Sequence, residues 1–185
     1  MSRFFPHPPY AEDQPLHHTI LATHVLHRGF QSGSVIGLLY GTSRVLVKDF
    51  HRGIKTALVT GWPAIQRSVG FGSVVGTSIL AVALPLRMAG LEEIEWKDRS
   101  WRLLENKGQL AVDDWSVAGI LVGLGSSALL RNKQLSVPLG WKTVLGRAGL
   151  GSTIGVVGYL TWTYITRGSS KSSSENSRVP ATVAA

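Results

Sequence analysis

The sequence predicts an all-α integral membrane bundle of four glycine-striped transmembrane helices, with an amphipathic helical loop between the second and the third. Two observations indicate this fold class. Four windows contain no charged residue, and the charges are crowded into the gaps between them. Each window also carries small residues at a spacing of four, which aligns them in one row along a helix. Mean hydropathy over the whole chain is only +0.13, so the distribution of residues carries the prediction.

The predicted spans cover about residues 29–47, 68–86, 115–130 and 148–166. A helix of the length of the second window is about 28 Å long, close to the roughly 30 Å hydrocarbon thickness of a bilayer. The third window is short, so a membrane span there must also include residues from its flanks. A buried helix of a soluble core is the alternative for a single window, and the fourfold repetition favours the membrane.

The rows of small residues predict where the helices pack against each other. Lipid tails give helices no hydrophobic reason to associate, so close backbone approach must supply the attraction. The predicted packing residues are Gly33, Gly37, Gly41, Gly72, Gly76, Gly119, Gly123, Gly151 and Gly155. A phosphate-binding loop at Gly70, Gly72 and Gly76 is disfavoured, because no GxxxxGK[ST] pattern is present.

Residues 1–28 are predicted to form an N-terminal arm and a short helix that begins near Pro15. Whether residues 16–28 extend the first span is left open. His17, His24 and His27 share parts of one face, but this segment contains no acid to orient a ring, so no metal site is predicted. We expect these histidines to lie near a membrane interface or against a partner.

The loop 87–114 contains seven acids and five bases. Its apolar residues recur at helical spacing within LEEIEWKDRSWRLLEN, which predicts an amphipathic helix outside the membrane or along its surface. Interleaved charges of this kind are typical of a solvated, salt-bridged face and not of acid/base catalysis. Asp113 or Asp114 is predicted to cap the next helix.

Two flanking segments complete the organisation. Residues 56–66 (TALVTGWPAIQ) are predicted to extend the second helix, with a bend near Gly61 and Pro63. The serine-rich segment 167–185 is too polar to pack and is predicted to be disordered.

Four spans place both termini and the acidic loop on one side of the membrane. The two loops on the other side contain nine basic residues and one acid, whereas the first side has ten of each. The basic side therefore faces the cytoplasm or the mitochondrial matrix. Its basic residues are candidates for binding anionic lipid headgroups: Arg44, Lys48, Arg52, Lys55, Arg67, Arg131, Lys133, Lys142 and Arg147.

Three segments carry a resemblance to a known family. The stretch Glu95 to Ser116 (EWKDRSWRLLENKGQLAVDDWS), together with FPHPPY and HHTILATHVLHRG near the start, is similar to the fungal accessory membrane subunit of respiratory complex I, NADH:ubiquinone oxidoreductase. The four short striped spans, over about residues 29–166, also resemble the Tim17-type translocases of the mitochondrial inner membrane.

The resemblance implies a multi-pass subunit of the mitochondrial inner membrane, imported without a cleaved presequence, with its termini in the intermembrane space. It would be non-catalytic and would stabilise or assemble the proton-pumping arm of complex I. Its implied partners are core and accessory membrane-arm subunits and an anionic phospholipid such as cardiolipin. Neither a cofactor nor a nucleic acid is implied.

Two other function classes remain open. A subunit of an inner-membrane protein translocase could use small hydroxyl residues to line a groove: Ser73, Thr77, Ser78, Ser126, Ser127, Ser152 and Thr153. A carrier or membrane enzyme is the weakest class, because the windows contain no ionisable residue. No catalytic, cofactor-binding or metal-ligating residue is predicted, and the absence of cysteine excludes disulfides and thiolate sites.

Overall fold

A computed structural model describes residues 4–134 and 140–176 of the chain. The helices are α1 (His17–Asp49), α2 (Ile54–Met88), α3 (Glu93–Glu105), α4 (Lys107–Gln134) and α5 (Trp141–Asn176). Two short 3₁₀ turns cover Ala11–Asp13 and Phe50–Arg52. The described residues form no strand, so the all-α part of the prediction is confirmed.

The four long helices form two antiparallel hairpins, α1 with α2 and α4 with α5, and α2 packs against α5 to join them. Helix α3 lies outside this bundle and packs against α1 and the N-terminal arm. The apolar core is small: one cluster contains Val45, Ala57, Ile65 and Val69, and a second contains Ile20, Leu103 and Leu104. Close contacts between the backbones of neighbouring helices therefore make up much of the packing.

Helix α1 is continuous from His17 to Asp49, so residues 17–28 and the first window belong to one helix. The sequence left the relation of residues 16–28 to the first span open, and the structure joins residues 17–28 to it in one helix. The helix begins two residues after Pro15, because Leu16 adopts a left-handed conformation with φ 55° that lies outside the helical region.

Helix α2 runs through Pro63 and Pro85, and it includes the predicted extension 56–66. Among the described residues it is the one helix long and apolar enough to cross a membrane, with a mean hydropathy of 1.9 over its best window. Only 17% of that window is buried inside the protein, unlike the core helix of a soluble domain. The predicted four spans are therefore not confirmed, since histidine, glycine, serine and terminal charges lower the hydropathy of the other long helices.

The start of α4 differs from the prediction. Helix α4 begins at Lys107, and the Asn106 side-chain oxygen accepts a hydrogen bond from the Gln109 N–H at its first turn. Asp113 and Asp114 lie inside the helix, so the predicted cap is wrong. The cap was misplaced because the uncharged window starts later than the helix does.

Helix α3 fits the predicted amphipathic helix and begins with a capping box between Glu92 and Glu95. Helix α5 continues to Asn176 and thus includes the first part of the segment that was predicted to be disordered. The rest of that segment, 177–185, lies outside the described residues.

Candidate interaction site

Helices α1 and α2 contact each other backbone to backbone along the predicted glycine rows. A Cβ atom placed on Gly33 would collide with the carbonyl oxygen of Gly72, and one placed on Gly37 would collide with that of Ser68. Gly76 faces Gly29, one turn before the predicted row. Gly41 lies against the Ser68 side chain and the Ile65 Cα. Side chains larger than hydrogen are therefore excluded along this interface.

Helices α4 and α5 pair in the same way. Gly119 and Gly151 face each other, and a Cβ on either would collide with the other's carbonyl oxygen. Gly123 lies against the Arg147 carbonyl, and Gly155 against that of Trp115. A buried hydrogen bond of 2.6 Å between the hydroxyls of Ser116 and Ser152 adds a polar link inside this hairpin.

A third close contact joins the two hairpins. Gly70 of α2 lies against the Lys142 carbonyl, and Gly146 of α5 lies against the Gln66 carbonyl. Neither glycine was among the predicted packing residues. Gly70 is outside the spacing-of-four row of its helix, and Gly146 precedes the fourth uncharged window, so neither pattern includes them.

An open groove of about 850 Å³ lies along the α1 and α2 interface, and we refer to it as the α1/α2 groove. Its floor is the row of glycines, where side chains are missing. Its α1 wall contains Ile36, Tyr40, Arg44 and Lys48 at a spacing of four, and its α2 wall contains Arg67, Phe71, Val75 and Ile79 at the same spacing. Each wall is therefore one side-chain row, adjacent to its glycine row.

The groove is apolar along most of its length and cationic at one end. Because the helices are antiparallel, Arg44 and Lys48 of α1 lie at the same end as Arg67 of α2. Lys142 of α5 joins them, and its Nζ lies 5.6 Å from the centre of the Phe71 ring. None of these four cations forms an ion pair with a carboxylate of the described residues.

The fold thus brings together four of the nine predicted headgroup residues. Lys55 is exposed and does not line the groove. Arg147 is partly buried, and its Nη1 atom finds no hydrogen-bond partner among the described residues. The side chains of Arg52, Arg131 and Lys133 lie outside the described part of the structure.

A buried polar network connects α1 to α4 at the opposite end of the bundle. His24 Nδ1 lies 2.9 Å from Asp113 Oδ2, and Arg28 Nη2 lies 3.1 Å from Asp113 Oδ1. Arg28 also donates to Gln31 Oε1 at 2.8 Å, and Gln31 Nε2 lies 3.1 Å from His27 Nε2. The side chains of His24 and Asp113 are only 9% and 3% exposed, so each needs the other as a partner.

Burial and charge act in opposite directions on the acid of this network. Burial by itself raises the pKa of Asp113, but the hydrogen bond from His24 and the positive charges of His24, Arg28 and His27 outweigh it and lower the pKa. Burial lowers the pKa of His27, with the Arg28 charge acting in the same direction and the Asp113 charge opposing it. Asp113 is therefore ionised and His27 neutral near neutral pH.

The N-terminal arm is attached to α3. The indole N–H of Trp101 donates to the Pro8 carbonyl at 2.9 Å, and the His7 ring stacks on the Trp101 ring. Further along, His18 contacts Trp96 at a ring-centre distance of 4.4 Å. We call residues 4–16 together with α3 the arm/α3 unit. It contains FPHPPY and the first part of the stretch Glu95 to Ser116, two of the segments that carry the family resemblance, whereas HHTILATHVLHRG lies in α1.

Sequence reasoning missed the partner of His24, which lies 89 residues further along the chain. It considered only acids within the histidine segment itself. Among the side chains that the structure describes, no group of three or more histidine, aspartate and glutamate residues could hold a metal ion. The arrangement is therefore one of helix contacts, an open groove and a buried ion-pair network.

Comparisons of the chain with models of protein families, with curated proteins and with solved structures found no match.

Proposed function

We propose that this chain is a non-catalytic accessory subunit of the membrane arm of mitochondrial complex I. It would cross the inner membrane with four helices and keep both termini in the intermembrane space. Its role would be to stabilise or assemble the proton-pumping arm through helix packing and lipid contacts. The single observation that carries the proposal is the inverted distribution of residue types between the inside and the outside of the bundle.

That distribution places glycine and serine inside and large apolar side chains outside. Helix α2 combines a mean hydropathy of 1.9 with only 17% burial. Many side chains on the long helices are more than half exposed: Ile36, Leu39, Tyr40, Phe71, Ile79, Val82, Leu121, Val122, Ile154 and Tyr164. Apolar area of this extent is stable when lipid or a partner protein covers it. A scaffold subunit in a membrane complex meets that requirement.

The arm/α3 unit supports the choice of complex. The stretch Glu95 to Ser116 is distant in the sequence from the two N-terminal segments that also resemble the complex I family. It nevertheless contacts both of them, through Trp101 and Pro8 and through Trp96 and His18. A surface that these segments form jointly would explain why all of them resemble the same family. We propose that this surface docks on a neighbouring membrane-arm subunit.

Native electrophoresis tests the assignment. Mitochondrial membranes that contain the tagged full chain are solubilised in a mild detergent, and the gel is stained for NADH dehydrogenase activity. We expect the chain to comigrate with that activity. Comigration with the protein import machinery instead would contradict the complex I assignment and support the translocase alternative.

The described hydroxyl groups give the translocase alternative little support. Those of Ser73, Thr77, Ser126 and Thr153 donate to carbonyls of their own helices, and Ser152 pairs with Ser116. None of these hydroxyls lines the α1/α2 groove. They contribute to helix packing, and the open groove is apolar and cationic.

A further inference from the structure

We infer that the α1/α2 groove is a binding site for one anionic phospholipid, whose phosphates lie at the cationic end and whose acyl chains lie along the apolar walls. This inference rests on the part of the proposed function that places α1 and α2 in a membrane. It does not depend on which complex contains the chain.

The walls have the composition that an acyl chain requires. Ile36 and Tyr40 on α1 are 65% and 60% exposed, and Phe71 and Ile79 on α2 are 55% and 60% exposed. Between the walls the glycine row leaves a depression, because no side chain fills it. Hydrocarbon lying there would cover apolar surface on both helices at once.

The length of the groove agrees with the dimensions of a lipid. On α2 the groove runs from Ala64 to Ile79, and the twelve residues of helix from its cation Arg67 to Ile79 correspond to about 18 Å. One leaflet contributes about half of the roughly 30 Å hydrocarbon core. The cations are therefore at headgroup level when the apolar walls span one leaflet.

The charges determine which lipid class fits. Arg44, Lys48, Arg67 and Lys142 converge from three helices, and no described carboxylate neutralises them. A zwitterionic headgroup would leave this charge uncompensated. A lipid with two phosphates, such as cardiolipin, compensates it best, since basic side chains bind anionic headgroups at the membrane surface.

A helix of a partner protein is the competing occupant, and the charges disfavour it. It would have to offer several carboxylates at the level of Arg44 and Arg67. Membrane proteins carry an excess of lysine and arginine on the cytoplasmic or matrix side, where the positive-inside rule puts this end of the groove. A partner helix with several carboxylates on that side would be an exception to this rule. An anionic lipid of that leaflet supplies the required negative charge and needs no exception.

The test titrates the purified full chain, in a mild detergent, with cardiolipin and measures the bound fraction by native mass spectrometry. We expect the double substitution Lys48→Gln and Lys142→Gln to weaken binding about 30-fold, at about 1 kcal/mol per lost basic residue. The matched control replaces Arg87 and Lys107 with Gln, because both are exposed and neither lines the groove. That control should bind as the unmodified chain does.

A second pair of variants tests the walls without changing any charge. Val75→Trp fills the groove, whereas Val82→Trp adds the same ring to an exposed position on α2 that does not line it. We expect only Val75→Trp to reduce binding. Equal cardiolipin binding by the groove and control variants, or equally tight binding of phosphatidylcholine, would overturn the inference.

The outcomes separate this inference from the proposed function. If the chain comigrates with NADH dehydrogenase activity and the groove variants bind cardiolipin normally, the lipid site is wrong and the subunit assignment stands. If the chain binds cardiolipin as expected and comigrates with another assembly, the lipid site stands and the assignment is wrong.

Discussion

At the scale of single residues, Asp113 is the point where α1 and α4 are tied together. Its two oxygens contact His24 and Arg28, both on α1, and its side chain is almost completely buried. Arg28 Nε also lies 3.5 Å from His24 Nε2 and can only donate. The His24 ring therefore directs Nδ1 towards Asp113 and Nε2 towards Arg28. The orientation of each group depends on the other two.

Replacing the acid should destabilise the protein. Asp113→Asn keeps the shape but removes the charge opposite Arg28, and we expect a loss of about 2 kcal/mol in the free energy of unfolding. Circular dichroism during thermal unfolding in detergent measures the change. Asp98→Asn is the matched control, because its pair with Arg102 is exposed and should contribute less than about 1 kcal/mol. Equal effects of the two substitutions would contradict the role of the network.

His27 should give the protein a pH-dependent stability. Its pKa is lowered in the folded chain, mainly by burial, whereas the unfolded histidine binds a proton near pH 6.5. The stabilisation is therefore complete above about pH 6.5 and declines as the pH falls towards the lowered value. Asp113, whose pKa is also lowered in the folded chain, contributes to the pH dependence of stability only below about pH 4.

We expect the unfolding temperature of His27→Gln to fall less between about pH 7 and about pH 5 than that of the unmodified chain. Thermal unfolding at both pH values measures the difference. His51→Gln provides the control, because it removes a histidine that is exposed. A larger fall in the unfolding temperature of His27→Gln than in that of the unmodified chain would contradict a lowered pKa of His27.

At the scale of the elements, each long helix uses one glycine row for its partner and leaves another face apolar and open. The two hairpins are made in the same way, with carbonyl oxygens where side chains would otherwise lie. The crossing of α2 and α5 uses a second face of each helix, through Gly70 and Gly146. Helix α2 thus has two packing faces, and the groove lies beside the first of them.

Gly37→Leu should separate α1 from α2. The new side chain would collide with the Ser68 carbonyl and the Val69 Cα, and we expect a loss of more than about 3 kcal/mol. Gly125→Leu is the matched control, because nothing lies within 4 Å of a Cβ at that position of α4. Thermal unfolding in detergent measures both variants, and recovery of the complex proposed above measures their assembly. Normal assembly with Gly37→Leu would show that the row is not a packing face.

At the scale of the whole molecule, the charges are divided between two ends. The polar network and the arm/α3 unit lie at the end where α1 begins, and the cationic part of the groove lies at the other end. The exposed apolar side chains lie on the helices between them. This division is the one expected of a bundle that crosses a membrane in a fixed orientation.

Labelling sealed mitoplasts from outside tests the orientation that the proposed function requires. The chain contains no cysteine, so a single introduced cysteine is the only reactive thiol. We expect Lys55→Cys, at the start of α2, to be protected from an impermeant maleimide, and Glu92→Cys, just after α2, to be labelled. Labelling of both positions without detergent would contradict a membrane crossing by α2.

The sequence alone determined the helical class, the register of the packing rows and the unequal distribution of charge, because these follow from spacing along one helix. It misplaced the start of α4 and left the relation of residues 16–28 to the first window open, since charge and hydropathy do not mark helix ends.

Only the tertiary structure decided which glycine row faces which other glycine row. It paired Gly33 with Gly72, brought Asp113 to His24 across 89 residues, and placed Lys142 beside Arg44 and Arg67. Contacts of this kind depend on how helices far apart in the chain are arranged in space, and the spacing within one helix contains no information about that arrangement.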